Sequence, residues 1–168
     1  MIYDLVVTQF VRMFDNLSVI LDKAAQHAEA KKYDADVLLG SRLAPDMFPF
    51  TRQIQILCDT SKNAAAFLTG REAPKLADDE KTLADVRKRV ATAKAHLQTF
   101  KAADFEGAAT RKVSQPRWEG QYLTGHEYVL HHVIPNFYFH LTTAYALLRN
   151  AGVDVGKKDY LGPMPLKK

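Results

Sequence analysis

The sequence contains a single cysteine, Cys58, which rules out an internal disulfide and fits a reducing compartment. It also lacks the glycine-rich patterns that bind nucleotide phosphates and the G-x-S-x-G turn that presents a nucleophilic serine. Cys58 lies among apolar residues at helical spacing, which favours a buried, unreactive thiol over a nucleophile. The sequence therefore gives no indication of a nucleotide-dependent enzyme or of a serine or cysteine hydrolase.

A strong excess of charge of one sign is also missing. The formal net charge of the chain is +4, and the pI is about 9.1. Part of the positive charge comes from four lysines near the end of the sequence, Lys157, Lys158, Lys167 and Lys168. No basic stripe alternates with aromatic residues, so we do not expect nucleic-acid binding.

The longest stretch without any Asp, Glu, Lys or Arg runs from Tyr128 to Leu148. At helical spacing, Phe137, Leu141 and Ala144 form one apolar stripe, and most of the remaining circumference is also apolar or aromatic. This pattern predicts a central, buried helix. The stretch has the length of a membrane span, but its proline, asparagine and histidines are too polar for lipid. Because a signal peptide's basic start is also missing, we expect a soluble, cytoplasmic protein without a membrane partner.

Apolar residues recur every three or four positions in four segments, which predicts four long helices. The expected helices cover approximately residues 2–30, 49–68, 82–100 and 124–152. The connections before the second and the fourth helix are too long for a simple series of helical hairpins. The sequence thus predicts an all-α four-helix bundle with long crossover connections. We expect one domain over residues 1–168, with an irregular tail at 153–168.

Local signals refine the last two predicted helices. Thr82 and Thr124 each stand three residues before an acidic residue, the spacing of a capping box at a helix N-terminus. Pro135 removes one backbone donor, so a kink or a restart of the helix is expected near Ile134. The aperiodic segment 102–125 is expected to form either a small β-hairpin or an extended crossing of the bundle.

Several motifs resemble those of a known family. The run PNFYFH at Pro135–His140 is followed by TAYALLR at Thr143–Arg149 and GKKDYLG at Gly156–Gly162, and LAPDMFPFTRQ precedes them at Leu43–Gln53. Together they resemble the DUF1993 family, which is similar to the DinB/YfiT-like four-helix bundles. The resemblance covers essentially the whole chain. It implies a helical bundle that holds a divalent metal through three histidines, as in relatives that act as thiol-dependent transferases and isomerases.

The implied metal ligands are only partly present. In DinB-like chains two histidines stand four residues apart on the last helix, and the third comes from the second helix. His140 matches the second histidine of this pattern, whereas Asn136 stands where the first should be. The predicted second helix contains no histidine, and Gln53 and Gln55 are its nearest polar candidates. At most one of the three histidine ligands is therefore retained.

The last helix alone offers a second candidate set of metal ligands in place of the three histidines. His132, Asn136 and His140 are spaced i, i+4 and i+8 and share one face if the helix continues through Pro135. These side chains are the candidate ligands for Zn²⁺, Ni²⁺ or Fe²⁺, although neutral amides hold such ions poorly.

Three interpretations of the polar residues on the last helix stay open. They form a divalent-metal site, a hydrogen-bonded polar patch in the core, or a metal-free pocket for a small molecule. The residues predicted to line the pocket or its rim are His140, Asn136, Gln53, Gln55, Arg52 and Tyr138. Part of the segment Leu43–Phe48 is expected to cover its mouth. The sequence does not decide whether the protein is an enzyme, and the aromatic last helix favours a homodimer.

Overall fold

The computed structural model describes residues 1–167, so the end of the predicted domain and the charge on Lys168 lie outside it. The helices are α1 (Gln9–Lys31), α2 (Phe50–Thr69), α3 (Leu83–Leu97), α4 (Gly125–Tyr128), α5 (Ile134–Asn150) and α6 (Lys157–Leu161). The strands are β1 (Lys112–Val113) and β2 (Leu123–Thr124), which pair in an antiparallel manner. Over residues 1–167, no helix combines the length and the apolar character that crossing a membrane requires. The four long helices confirm the predicted all-α bundle.

Helices α1 and α3 are antiparallel neighbours. Asp15 pairs with Lys94 and Asp22 pairs with Arg87, so residue numbers rise along α1 as they fall along α3. Helix α2 packs mainly on α5 and α3 rather than on α1. The chain must therefore cross the bundle between α1 and α2, and again between α3 and α5, which explains the two long connections.

Helices α2 and α3 run in the same direction, although they follow each other in the chain. Arg89 of α3 pairs with Asp59 of α2, and Arg71 just beyond α2 lies over the Phe100 ring just beyond α3. Residues 70–82 must therefore return along the length of both helices before α3 begins. This return segment carries acidic side chains past α2, a placement that the periodicity of the helices did not predict.

The core is joined by aromatic contacts between α1 and α5. The Phe137 ring stacks on Phe10 with ring centroids 3.7 Å apart, and it meets Phe14 edge-on at 5.7 Å. The predicted apolar stripe of α5 is buried, but the helix is not buried all round, because Phe139 is 57 % exposed. Helix α5 is thus one wall of the bundle rather than its centre, and its uncharged sequence leaves an uncharged outer face.

The first long connection, and the tail that was expected to be irregular, both contain short helical segments. The first connection includes a 3₁₀ turn at Ala35–Gly40, where Asp34 caps the turn and two leucines are buried. The tail includes α6, whose Asp159 accepts from the backbone N–H of Gly156 and pairs with Lys23 of α1. Both short helical segments have the same origin, because an acidic side chain satisfies free N–H groups at the start of a short turn.

The local signals predicted for the last two long helices are confirmed. Capping boxes form at Thr82 and at Thr124. The aperiodic segment contains the small antiparallel ladder of β1 and β2. Before Pro135 the backbone widens into a π-helical turn at Val129–Val133, and α5 begins at Ile134. The N–H of Ile134 bonds to the carbonyl of Val129, five residues back, and Pro135, which has no N–H to donate, falls in the first turn of α5.

Candidate functional site

The first polar contact between α2 and α5 joins Gln53 and His140. The Gln53 Oε1 atom lies 2.7 Å from His140 Nδ1, and the Gln53 Nε2 group donates to the carbonyl oxygen of Phe48 at 3.0 Å. Gln53 is 1 % exposed and His140 is 6 % exposed. The structure thus brings together two of the predicted site residues, with the end of the 43–48 segment beside them.

The hydrogen bonds determine the protonation of this histidine. Because the Gln53 amide nitrogen is committed to Phe48, its oxygen faces the imidazole and can only accept. The neutral His140 ring therefore carries its proton on Nδ1 and keeps its lone pair on Nε2. Burial, followed by the positive charge of Arg52, lowers the His140 pKa from 6.5 to about 4, so the ring is neutral at physiological pH.

Asn136 belongs to a separate contact further along the same two helices. Its Nδ2 group donates to Thr60 Oγ1 at 2.6 Å, whereas His140 contacts Gln53. The residue numbers rise along α2 as they fall along α5, so the two helices are antiparallel. The predicted pocket is consequently divided, with Asn136 and His140 engaging different turns of α2.

An open groove of about 320 Å³ lies next to Asn136. We call it the α2–α5 groove; its main polar lining residues are Thr60, Asn63, Arg117, His132 and Asn136. His140 and Gln53 are not part of its lining. The groove therefore joins polar groups from α2, from α5 with its preceding π turn, and from the segment between β1 and β2.

His132 is held at the edge of the α2–α5 groove by three neighbours. Its ring stacks on Tyr128 with centroids 5.3 Å apart and meets Trp118 edge-on at 5.8 Å. An Nη2 group of Arg117 points at His132 Nε2, which must accept because guanidinium only donates. Burial, then the charge of Arg117, lowers the pKa of His132. The neutral ring is left with a buried Nδ1–H that has no partner among residues 1–167.

The other predicted site residues form hydrogen bonds with partners outside the Gln53–His140 pair. Gln55 Nε2 donates to Glu80 Oε2 at 2.7 Å on the α3 side of α2. Arg52 donates to Gln55 Oε1 at 3.0 Å and pairs with Asp78 of the return segment. The Tyr138 hydroxyl accepts from Gln9 Nε2 of α1 at 3.2 Å, on another side of α5. The structure does not bring Tyr138 or Gln55 to His140, because helical rotation points them at other neighbours.

Arg89 is the centre of a buried ion-pair network that the helical pattern of the sequence does not predict. Its side chain is 2 % exposed and pairs with Glu80 at 2.7 Å, Asp78 at 3.0 Å and Asp59 at 3.1 Å. A run of basic residues in α3 is more typical of a solvent-exposed face. The sequence carries one indication that Arg89 is buried, because this residue stands directly before Val90, at the edge of the apolar stripe of α3. The network fixes the return segment to α2 and α3.

Cys58 offers no nucleophile. Its side chain is fully buried in the core, and burial raises its pKa to about 12. A thiol with this pKa does not form the thiolate at neutral pH.

The family model described as a domain of unknown function (DUF1993) matches residues 2–161. The chain belongs to the DUF1993 family. It is also similar to the crystal structure of a DinB family member protein from Shewanella denitrificans, with 57 % sequence identity and a TM-score of 0.97. That match covers 100 % of this chain and 96 % of the other chain. A comparison with curated protein sequences gives no significant match.

The side chains of this DUF1993 protein do not fit the three-histidine site implied by the DinB/YfiT resemblance. In residues 1–167, no three His, Cys, Asp or Glu side chains are grouped so that they could hold a metal ion. The lone pair of His132 faces Arg117, and the amide of Asn136 is bonded to Thr60. Gln53 contacts the proton-bearing nitrogen of His140 and holds that ring in place. One remaining imidazole nitrogen near the charge of Arg52 is a poor site for a divalent cation.

Proposed function

We propose that this DUF1993 protein binds a small polar organic molecule in the α2–α5 groove without a metal ion. The observation that carries the proposal is the convergence of polar groups from three chain segments on one concave surface. Its volume of about 320 Å³ lies at the lower end of the range for small-molecule sites. Taking about 30 Å³ per heavy atom, as for liquid water, the groove holds about ten heavy atoms.

The two parts of the predicted pocket, the Gln53–His140 pair and the α2–α5 groove, have different roles. The Gln53–His140 pair is a hydrogen-bonded element that stabilises the contact between α2 and α5. Asn136 and His132 line the groove, and Thr60, which lines it as well, accepts a hydrogen bond from the Asn136 side chain. A ligand is favoured at this place because the groove is open and the polar side chains of Asn63, Arg117 and Asn136 line it together.

Ligand-observed NMR with a library of polar fragments tests the proposal. We expect fragments that bind the parent protein and lose binding in Asn136→Leu, because the apolar side chain removes the amide and fills part of the groove. Asn150→Leu is the matched control, since Asn150 is exposed at the end of α5. Fragments that bind both variants equally well, or the absence of any bound fragment, would contradict the proposal.

The second candidate is a homodimer without catalytic activity, which the exposed face of α5 favours. Phe139 is 57 % exposed and Phe48 is 54 % exposed, and both flank the Gln53–His140 pair. The outer face of α5 bears no charged residue between Tyr128 and Leu148. A two-fold dimer places the same face against itself, and an uncharged face can do so without repulsion between like charges.

A further inference from the structure

Arg117 carries a positive charge into the α2–α5 groove without a carboxylate partner. Within residues 1–167 its side chain forms no ion pair, and its hydrogen-bond contact is the neutral ring of His132. That contact orients the guanidinium and uses one of its five N–H donors. The remaining donors are available for a partner that brings negative charge.

The carboxylate that lines the same groove is already neutralised. Asp59 Oδ1 lies 3.1 Å from Arg89 Nη2 and 3.2 Å from Lys62 Nζ. Arg89 also pairs with two other carboxylates, so Asp59 is bound by Lys62 and by a share of the Arg89 charge, and it forms no pair with Arg117. The charge that the groove presents to a ligand is positive.

Neutral donors stand on the same surface. Lys62 donates to the Asn63 Oδ1 atom at 3.3 Å, which leaves the Asn63 amide N–H groups without a described partner. Tyr128 accepts a weak hydrogen bond from Gln115 at 3.5 Å, and its hydroxyl proton has no assigned acceptor. Burial raises the pKa of Tyr128 to about 12, so this hydroxyl remains a donor at neutral pH. An acceptor-rich anion complements these donors better than a cation does.

The walls between these groups are apolar. Ile56 and Pro116 line the groove. A free inorganic anion would leave these surfaces in contact with water, whereas an apolar body joined to the anion would cover them. The groove thus combines one guanidinium with a short apolar wall.

From this arrangement we infer that the α2–α5 groove binds a small monocarboxylate, with the carboxylate on Arg117 and an apolar body of about six to eight carbon atoms against Ile56 and Pro116. The inference rests on the proposed small-molecule function and specifies its ligand class. Arg117 is the residue that selects the charge, and the apolar wall selects the size.

The test compares benzoate with benzamide, which has the same shape and no charge, by saturation-transfer NMR titration. We expect benzoate to bind the parent protein at least tenfold more tightly than benzamide. Arg117→Gln should abolish the difference, and Arg117→Lys should keep part of it because the charge remains. Arg149→Gln, at an exposed position of α5, is the control that should retain the full preference. Circular dichroism and the melting temperature verify that each variant is folded.

The outcomes separate the two proposals. If benzamide binds as tightly as benzoate and Asn136→Leu removes both, the small-molecule function stands and the carboxylate class is wrong. If Arg117→Gln leaves the preference for benzoate unchanged, the role of Arg117 is wrong. If neither compound binds the parent protein, the carboxylate inference is overturned, and fragment binding in the Asn136→Leu experiment still decides the function. Equal competition of inorganic phosphate with benzoate would show that charge alone is recognised, which also overturns the inference.

Discussion

Gln53 Oε1 accepts from the protonated Nδ1 of His140 across 2.7 Å, and the same amide donates to the backbone oxygen of Phe48. One glutamine therefore joins α2, α5 and the segment that precedes α2. Gln53 holds the His140 ring through Nδ1, so this nitrogen is already bonded, and Nε2 is the imidazole nitrogen that keeps a lone pair.

Replacing Gln53 by alanine should destabilise the protein. The change leaves the His140 Nδ1–H and the Phe48 carbonyl without their partner and removes buried side-chain atoms, which together cost roughly 2–4 kcal/mol. Chemical denaturation measures the loss. Gln26→Ala, at an exposed position of α1, is the control and should change the free energy of unfolding by less than about 0.5 kcal/mol. Equal stability of the two variants would show that the Gln53 contact is not a stabilising element.

Stability should fall in acid because of His140. The pKa of this ring is about 4 in the fold and 6.5 in the unfolded reference. Between these values the unfolded chain binds more protons than the folded chain, so stability decreases as the pH falls from 7 towards 4. Each unit of difference corresponds to about 1.4 kcal/mol when it is fully realised.

The variant His140→Gln isolates this contribution. Its melting temperature should fall less steeply between pH 7 and pH 4 than that of the parent protein, because the group that takes up the proton on unfolding is gone. His126→Gln, at an exposed histidine, should keep the parent's pH dependence. If His140→Gln shows the same slope as the parent, the pH effect does not come from His140.

Arg89→Met should be strongly destabilising. The substitution keeps the apolar stem but leaves Glu80 and Asp59 without the guanidinium that lies 2.7 Å and 3.1 Å away. Breaking a buried ion pair in this way costs about 3–5 kcal/mol. Arg87→Met is a matched control on the exposed side of α3, where loss of the pair with Asp22 should cost less than about 1 kcal/mol. Urea denaturation of both variants measures the difference in their free energies of unfolding. Similar losses in the two variants would show that burial does not strengthen the ion pairs of Arg89.

Divalent metals should not stabilise the protein. After the α2–α5 contacts are made, His140 Nε2 is the one imidazole nitrogen between these helices that keeps a lone pair for a metal ion. In residues 1–167, no three His, Cys, Asp or Glu side chains are grouped so that they could hold a metal ion. A ligand at 100 times its dissociation constant would raise the free energy of unfolding by about 2.7 kcal/mol. We therefore expect no increase in melting temperature with Zn²⁺, Ni²⁺ or Mn²⁺ after chelator treatment. A stabilisation that His140→Ala abolishes would restore the metal interpretation.

Phe139→Asp should dissociate the proposed homodimer. It places a charge in the exposed, uncharged face of α5, and in a two-fold dimer each interface receives two such charges. Sedimentation velocity over a range of concentrations measures the change from dimer to monomer. Val19→Asp, at a residue of α1 that is 49 % exposed, should leave the association unchanged. A monomeric parent protein, or a Phe139→Asp variant that still dimerises, would rule out this interface.

The sequence alone determined the four long helices and the signals at the ends of the last two. The apolar stripe through Phe137 and Leu141, the capping boxes at Thr82 and Thr124 and the interruption before Pro135 depend on residues within one or two turns of each other. Such local patterns predict a helix and its buried face without knowledge of its neighbours.

Which side chains meet across the bundle was decided only by the tertiary structure. His140 and Gln53 are 87 positions apart, and Asn136 and Thr60 are 76 apart, so their pairing depends on the offset between two packed helices. Local spacing placed Asn136 and His140 on one face of α5, but the packing gave them different partners on α2. The partner of Arg117 and the tautomers of both histidines depend on contacts between distant segments, for which no spacing in the sequence carries a signal.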